Sequence, residues 1–388
     1  MRLAGAHRSV HAVRLGLLIA LAMPLATHPA TFAAGQAAQA PATVQAAHGS
    51  LPARLSDAEY WKLLSDISEP GGYFRITDNF TSNELEVGQV FTLLREMGVS
   101  GGVYLGVGPE QNFTYMAAIR ASMAFIVDIR RQAVVQHLMF KAIFEMAKDR
   151  ADFLSLLFSM PRPASLGAST PIEKIWEAFL AIGPDITVKP KTYARIVTHL
   201  TKTHGFSLTD EELAQLSSVF EAFSLHGPGI STRGSLGGGG GGNGATFADL
   251  TGFSYDASGR PQSFLSTEDN YRFIKSLHER NLIVPVSGDF AGPKAVRAIG
   301  AYLRSHGTQV SAFYVSNVEQ YLFQDGKNAA FYENVATLPL SSSSVFIRPY
   351  SLRRGGGPTQ SLCAITTFLT AVRADRVYTN NDALNCGR

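Results

Sequence analysis

Short apolar runs alternate with longer segments of helical periodicity along the chain. Residues 102–106 (GVYLG) and 124–127 (AFIV) are apolar throughout, which is typical of strands buried on both faces. Similar runs recur at 282–286, 310–315 and 345–347, with helical patterns between them. Strands that alternate with helices across short connections predict an α/β fold with a doubly wound, mostly parallel sheet.

A long helical block separates the second strand from the third. Apolar residues recur at helical spacing over 132–158, 172–180, 193–204 and 211–223. A glycine-rich stretch at 227–246 follows, and its uninterrupted glycine run has no side chains to bury, which predicts a mobile loop. Neither Lys nor Ser/Thr follows this run at P-loop spacing, so a phosphate-binding role is disfavoured.

The N-terminus has the pattern of a secretory signal. Residues 1–33 combine a basic start, an apolar run shorter than the roughly 20 residues of a spanning helix, and small residues that predict cleavage near Ala33. A mitochondrial presequence is the alternative, because the segment lacks acids. Residues 34–53 predict a disordered spacer. We therefore expect an exported protein, periplasmic or extracellular, with no membrane span in the mature chain.

The net charge of the chain indicates which classes of partner are expected. The formal net charge of +3 comes from 34 basic and 31 acidic residues, and the excess is carried by Arg2, Arg8 and Arg14 in the leader. A mature chain close to neutral does not predict nucleic-acid binding. The expected partner is a small molecule, and the oligomeric state stays open.

Both cysteines lie near the C-terminus. Cys363 and Cys386 could form one bridge that restrains the tail, worth roughly 3 kcal/mol, or could remain free thiols. No Cys/His cluster has zinc-ligand spacing, so no metal site is predicted.

The first strand ends in a turn that suits a ligand. Gly106 and Gly108 let the backbone approach a bound group, and the following helix offers unpaired N–H groups. Asp128 ends the second strand, where a carboxylate can accept hydrogen bonds from ribose hydroxyls. The third glycine of the dinucleotide fingerprint is missing after Asn112, which favours a smaller adenosyl ligand over a dinucleotide. The turn-rich segment 71–79 is expected to close over the pocket.

These positions resemble the class I S-adenosylmethionine-dependent methyltransferases. In that family a Gly-x-Gly turn, an acid after the second strand, a Gly-Asp pair after the third and a polar motif after the fourth surround the cofactor. The resemblance implies a Rossmann-like sheet of methyltransferase type with a helical insertion, and S-adenosylmethionine as cofactor. The cofactor-binding residues it implies are Gly106, Val107, Gly108, Pro109, Glu110, Asn112, Asp128, Gly288, Asp289 and Asn317. Glu319 or Tyr314 would accept a proton.

Several departures leave alternatives open. The helical insertion replaces the single helix usual between the second and third strands, and Pro109-Glu110 stands where methyltransferases commonly have small residues. Asp128 could instead pair with Arg130 or Arg131, and Asn317 and Glu319 could cap a helix. A second resemblance, to uncharacterised bacterial proteins that share 71–75, 103–112, 125–131 and 286–321, covers nearly all of the mature chain and implies no activity.

We predict one α/β domain with two candidate functions. The organisation expected is a signal at 1–33, a spacer at 34–53 and a domain at 54–388, with its core at 102–131 and 282–348, an insertion at about 132–226 and a loop at 227–246. The first function is methyl transfer from S-adenosylmethionine. The second is an exported, non-enzymatic protein of the same fold that binds another small ligand or a protein, because a charged sulfonium crosses a bilayer poorly.

Overall fold

The predicted strands pair into one six-stranded sheet. The computed structural model describes residues 50–77, 79–84, 87–183, 189–231, 244–351 and 358–388. The strands are β1 Val103–Gly106, β2 Met123–Asp128, β3 Ile283–Ser287, β4 Val310–Tyr314, β5 Leu340–Ser351 and β6 Pro358–Ala364. The expected leader and most of the spacer and glycine-rich loop lie outside the described residues.

The sheet has the order β3-β2-β1-β4-β5-β6. The first five strands are parallel, with Leu105 opposite both Phe125 and Phe313 across the two ladders of β1. β6 runs antiparallel to β5 and pairs Leu362 with Ile347. The mostly parallel, doubly wound α/β prediction is therefore confirmed, whereas β6 was not predicted because its sequence lacks a continuous apolar run.

Fifteen α-helices lie in the described part of the chain. Their bounds are α1 Asp57–Ile67, α2 Val90–Glu96, α3 Gln111–Ile119, α4 Arg131–Met146, α5 Arg150–Phe158, α6 Ile172–Leu180, α7 Lys189–Thr198, α8 Asp210–His226, α9 Phe247–Gly252, α10 Glu268–Glu279, α11 Ala295–Ser305, α12 Val318–Gln324, α13 Asn328–Ala336, α14 Ile365–Arg373 and α15 Asn380–Leu384. Helices α4 to α10 all lie between β2 and β3 in the sequence.

The crossover connections place helices on both faces of the sheet. The step from β1 through α3 to β2 and the step from β3 through α11 to β4 run in opposite directions across the sheet. Because such crossovers are right-handed, α3 and α11 cover opposite faces. Every residue of β1, β2 and β3 is buried, which explains why these strands are apolar without alternation.

The start of α1 follows the sequence closely. Ser56 Oγ accepts from the Glu59 backbone N–H at 3.2 Å, and Glu59 Oε2 accepts from the Ser56 N–H at 2.7 Å. This reciprocal pair is the capping box that the sequence indicates. It fixes the first turn of α1, which contains Asp57.

One segment predicted as a single helix contains two types of helix in the structure. The pattern at 193–204 predicts a single helix, but α7 ends at Thr198 and a π-helical turn, His199–Thr203, follows. A periodicity count cannot separate the two helix types over so short a length. A 3₁₀ turn, Val87–Gln89, leads directly into α2.

The C-terminal tail is linked to β6. The structure joins Cys363 to Cys386, with Cα atoms 5.8 Å apart and a sequence separation of 23 residues. None of the helices in the described ranges combines the length and apolarity needed to cross a membrane.

Candidate functional site

The turn after β1 is held from its inner side. A Cβ on Gly106 would collide with Asn112 Oδ1 and the Tyr104 ring, and Gly108 has a φ of +77° that disfavours other residues. Asn112 Nδ2 lies 3.0, 3.0 and 2.7 Å from the carbonyl oxygens of Val107, Gly108 and Pro109. Asn112 therefore fixes the shape of the turn.

His137 supports the same turn from α4. Its Nε2 donates to Gly108 O at 2.9 Å, and Asn112 donates to the same oxygen. Burial lowers the pKa of His137 to about 4, although the Gly108 hydrogen bond and the Asp128 charge oppose this. His137 is therefore neutral at physiological pH and acts as a hydrogen-bond donor.

Asp128 ends β2 and is paired within the chain. Its Oδ1 accepts from the Arg130 backbone N–H at 2.9 Å and from Arg130 Nε at 3.1 Å, and its Oδ2 accepts from Arg130 Nη2 at 3.1 Å. Burial opposes ionisation, but the Arg130 charge and hydrogen bonds leave the pKa of Asp128 below its usual value. Three of the roughly four acceptor positions of the carboxylate are used, so Oδ2 retains one.

The edge beyond β3 is organised by Glu69. Its Oε1 accepts from the backbone N–H groups of Lys294 and Ala295 at 2.9 and 2.8 Å, at the start of α11. Its Oε2 accepts from the Asp289 N–H at 3.2 Å. A carboxylate at a helix N-terminus is favourable, and here the chain supplies that anion itself. The Asp289 side chain accepts from the Ala291 N–H at 2.9 Å and from Lys327 Nζ at 3.4 Å.

The edge beyond β4 contains a strained residue. Ser316 has a φ of +47°, a left-handed conformation uncommon for a residue with a Cβ. Its hydroxyl donates to Glu84 Oε1 at 2.8 Å, which links β4 to the segment before α2. Strain of this kind often marks ligand sites. Asn317 follows and makes no side-chain cap to α12.

These three edges border one cavity of about 340 Å³, here called the sheet-edge cavity. Val107, Gly108 and Pro109 line it beside β1, together with Asp128, Gly288, Asp289, Ser316 and Asn317. It lies where the strand order reverses, between β1 and β4, which is the position at which open α/β sheets bind ligands. Its volume is within the range of small-molecule sites.

The segment after Glu69 forms one wall of the cavity. Tyr73, Phe74, Arg75 and Asn79 all line it, while residue 78 lies outside the described part. The Phe74 ring meets the Tyr321 ring edge-on at 5.0 Å, and the Arg75 guanidinium lies 5.0 Å from the same ring. The wall is anchored where the Gly72 N–H donates to Ile129 O at 2.7 Å.

The sequence was compared with known proteins. It matches the family described as Domain of unknown function (DUF7790) over residues 79–167 and 252–363, just over half of the chain. This chain belongs to that family. No curated protein matches the sequence. The two DUF7790 segments contain β1 to β5 and nearly all of β6, together with most of the residues that line the sheet-edge cavity.

Three predicted cofactor residues of this DUF7790 chain lie behind the cavity wall. Gly106, Glu110 and Asn112 are absent from its lining, while the remaining seven reach it. Glu110 is 1% exposed, and its Oε1 accepts from the Ser82 N–H at 3.0 Å. Its Oε2 has no hydrogen-bond partner in the described structure. Burial raises the pKa of Glu110 to about 7, against the opposing effect of the Ser82 hydrogen bond.

The two predicted proton acceptors do not reach the cavity either. Glu319 is 2% exposed and accepts from Arg348 Nε and Nη2 at 2.6 and 2.8 Å and from the Tyr332 hydroxyl at 2.9 Å. Tyr314 is fully buried, and its hydroxyl accepts from Gln111 Nε2 at 3.0 Å, so Gln111 stands at the cavity in its place. Burial raises the pKa of Tyr314 well above its usual value. Neither side chain lines the cavity, so a proton-accepting role for Glu319 or Tyr314 stays a prediction that the cavity geometry does not support.

Several lining residues escaped the sequence analysis. Tyr321 and Gln111 line the cavity, although the sequence analysis names neither among the cofactor-binding residues. Lys327 comes from the connection between α12 and α13, where no motif marks it. Ser316 lines the cavity as the residue before Asn317 in the polar motif that follows the fourth strand, where the methyltransferase resemblance expects a site residue.

Proposed function

We propose that this protein binds an adenosyl nucleoside of the S-adenosylmethionine type in the sheet-edge cavity and uses it for methyl transfer. The observation that carries the proposal is the meeting of Gly108, Asp128, Asp289 and Asn317 around one cavity at the switch point of the sheet. These positions are those the methyltransferase resemblance implies, in the same order along the strands. Strand order 3-2-1-4-5 is also that of nucleotide-binding sheets.

The geometry of Asp128 sets how the ribose would be held. Because Arg130 occupies three acceptor positions, the carboxylate can accept from one ribose hydroxyl at Oδ2. The sequence-based expectation was two such bonds. One charge-assisted hydrogen bond contributes about 1.5–3 kcal/mol, or roughly tenfold to hundredfold in affinity.

The opposite side of the cavity suits the rest of such a ligand. The Phe74 and Tyr321 rings offer apolar faces for a base, and Asp289 is placed to accept from an amino group. Two basic residues, Arg75 and Lys327, and one acidic residue, Asp325, line the same cavity. A zwitterionic amino-acid tail would therefore have partners for both its carboxylate and its ammonium group. When bound, S-adenosylmethionine supplies an activated methyl group. The chain would act chiefly by aligning the acceptor, since Glu319 and Tyr314 lie elsewhere.

A second candidate is a non-enzymatic member of the same fold. The pairing of Asp128 with Arg130 favours it, because an ion pair within the chain satisfies most of the carboxylate without a ligand. We also propose that the protein is exported, on the basis of the signal pattern in residues 1–33. Export favours the second candidate, since the sulfonium cofactor does not readily follow the chain across a membrane.

Calorimetric titration with S-adenosylhomocysteine and with adenosine tests the proposal. We expect the wild-type protein to bind S-adenosylhomocysteine, and Asp128→Asn to bind it about tenfold more weakly through loss of the charged acceptor. Tyr321→Ala should also weaken binding, because a ring face is lost. Asp66→Asn, on the exposed face of α1, is the matched control and should bind as the wild type does.

The outcomes separate the candidates. Binding of both nucleosides together with methyl transfer to an acceptor supports the enzyme. Binding without transfer across a panel of acceptors supports a non-enzymatic nucleoside-binding protein, whereas the second candidate, which binds another ligand or a protein, predicts no nucleoside binding. A folded wild-type protein that binds neither nucleoside overturns the adenosyl proposal. Tyr321→Ala keeps the test decisive if Asp128→Asn fails to fold, because Tyr321 is only partly buried and its ring contacts Phe74 and Arg75 in the cavity wall.

A further inference from the structure

A second group of chemistry-bearing side chains lies within the helical insertion, away from the sheet-edge cavity. Glu145 comes from α4, and His199 and His204 come from the π-helical turn and the residue that follows it. Asp57, the first residue of α1, lies against His204. We call these four residues the helical cluster. The side chains of Glu145, His199 and His204 are 8%, 21% and 11% exposed, so they are largely shielded from water.

Three of these residues direct ligand atoms at one point. His199 Nε2 lies 2.7 Å from Glu145 Oε2, and His204 Nε2 lies 2.6 Å from the same oxygen. The three atoms fall within 4.8 Å of one another. The two imidazole rings are almost perpendicular, with centroids 4.8 Å apart, so they approach the carboxylate from different directions.

The π-helical turn is what brings the two histidines together. Residues five apart on an α-helix point about 140° away from each other, because each residue turns about 100°. Here the His204 N–H donates to His199 O at 3.1 Å, which is the i to i+5 bond of a π-helix. The wider turn places both side chains on one face. π-Helical turns are rare and frequently occur at functional sites.

The surroundings complete the arrangement expected around a metal-binding histidine. His204 Nδ1 lies 2.8 Å from Asp57 Oδ1, and Asn281 Nδ2 donates to the same oxygen at 2.9 Å. A carboxylate on the far nitrogen fixes the tautomer, so that Nε2 presents its lone pair to a metal. Lys141 Nζ donates to Glu145 Oε1 at 2.6 Å, which leaves Oε2 facing the imidazoles.

We propose that Glu145, His199 and His204 bind one divalent transition-metal ion, with Asp57 as the outer support of His204. Two imidazoles and one carboxylate form a donor set typical of Zn²⁺ and of non-haem Fe²⁺. With both imidazoles neutral, as metal ligation requires, the carboxylates of Asp57 and Glu145 outweigh the Lys141 ammonium, so the deprotonated cluster favours a cation. His199 also lines a surface depression with Met146, Arg195 and Thr203, which gives an ion a route of entry.

This site was not predicted from the sequence. No Cys pair at zinc-finger spacing accompanies the two histidines, and Glu145 and Asp57 lie in distant segments. His199 and His204 also fall between the two DUF7790 segments, whereas Glu145 falls within the first. The helical cluster is therefore a feature of this chain that the family match does not define.

Zn²⁺ titration of the full chain after chelator treatment tests the proposal, with calorimetry for affinity and Co²⁺ visible absorption for ligand geometry. We expect one ion per chain. The Co²⁺ absorption spectrum should be typical of a low coordination number with an asymmetric set of ligands. His199→Ala and His204→Ala should each weaken Zn²⁺ binding about a hundredfold or more, and Asp57→Asn about tenfold, the loss usual for an outer carboxylate. The matched control is His306→Ala, whose ring contacts Tyr302 instead.

The competing outcome is a hydrogen-bonded cluster in which protonated His204 bridges two carboxylates. Absence of stoichiometric Zn²⁺ or Co²⁺ binding by the folded wild-type chain overturns the proposal. So does a His199→Ala protein that binds Zn²⁺ with wild-type affinity. The wild-type Co²⁺ spectrum remains decisive if a variant does not fold, because it needs no substitution.

Discussion

The sheet edge and the helical cluster satisfy their charged groups in opposite ways. At the sheet edge Asp128 pairs with its neighbour Arg130, and Glu69 accepts from backbone N–H groups, so each acid finds its partner within the edge. In the helical cluster, His199 and His204 converge on one oxygen of Glu145 from α4, and Asp57 of α1 contacts the far nitrogen of His204. The first arrangement leaves acceptor capacity for a ligand's hydroxyl groups. The second has the geometry of a cation site.

The two regions also differ in whether the topology of the sheet determines where they lie. The carboxyl ends of parallel strands meet at one edge in any sheet of this order, so topology alone places a cavity between β1 and β4. Nothing in the topology requires His199 and His204 to meet Glu145. Their meeting depends on one unusual helical turn and on how α1, α4 and α7 pack.

The largest effect should come from breaking the buried pair beside β5. Arg348→Met leaves the Glu319 carboxylate buried with only the Tyr332 hydroxyl, and we expect a loss of about 3–5 kcal/mol in the free energy of unfolding. Urea denaturation measures this. Lys62→Met, in an exposed pair with Asp66, should change stability by less than about 1 kcal/mol. A cost below about 1 kcal/mol for Arg348→Met would contradict the structural role of Glu319.

The next effect concerns the buried acid behind the cavity. The pKa of Glu110 is raised from 4.5 to about 7, so the folded protein keeps this proton where the unfolded chain has lost it. The contribution of the protonated Glu110 to the free energy of unfolding is therefore fully present below pH 4.5 and declines as the pH rises from 4.5 to 7. Above pH 7 this contribution has been lost, and it changes no further. The total change is about 3 kcal/mol. Glu110→Gln should lack this decline, as unfolding at pH 5, 6, 7 and 8 would reveal.

His137 titrates in the same interval with the opposite sign. Its pKa is lowered to about 4, so its contribution to stability is lost as the pH falls from 6.5 toward 4. Both the wild type and Glu110→Gln contain His137, and the difference between their unfolding free energies isolates Glu110. Identical pH profiles for the two proteins would show that the Glu110 carboxyl reaches water.

The smallest expected loss of stability comes from a substitution at the start of α1, next to the helical cluster. Ser56→Ala removes the side-chain acceptor of the α1 capping box and should cost about 1 kcal/mol. Thermal unfolding measures the loss, and Ser305→Ala, on an exposed helix end, is the control. Because the capping box lies at the N-terminal end of α1, beside the helical cluster, and Glu69 follows the opposite end of the helix, affinity for S-adenosylhomocysteine should not change. A parallel loss of nucleoside affinity would show that the two regions are coupled.

The sequence by itself determined the α/β fold class and the strand ends that border the sheet-edge cavity. Continuous apolar runs predict strands buried on two faces, glycines at 106 and 108 predict the turn, and Ser56 with Glu59 predicts the start of α1; all of these depend on neighbours close in the chain. Tertiary structure decided which side chain meets which. Glu319 pairs with Arg348, Tyr314 lies behind Gln111, and His199 meets Glu145 through contacts between distant elements. Such contacts are fixed by packing and by backbone turns of a few residues, which leave no period in a single sequence.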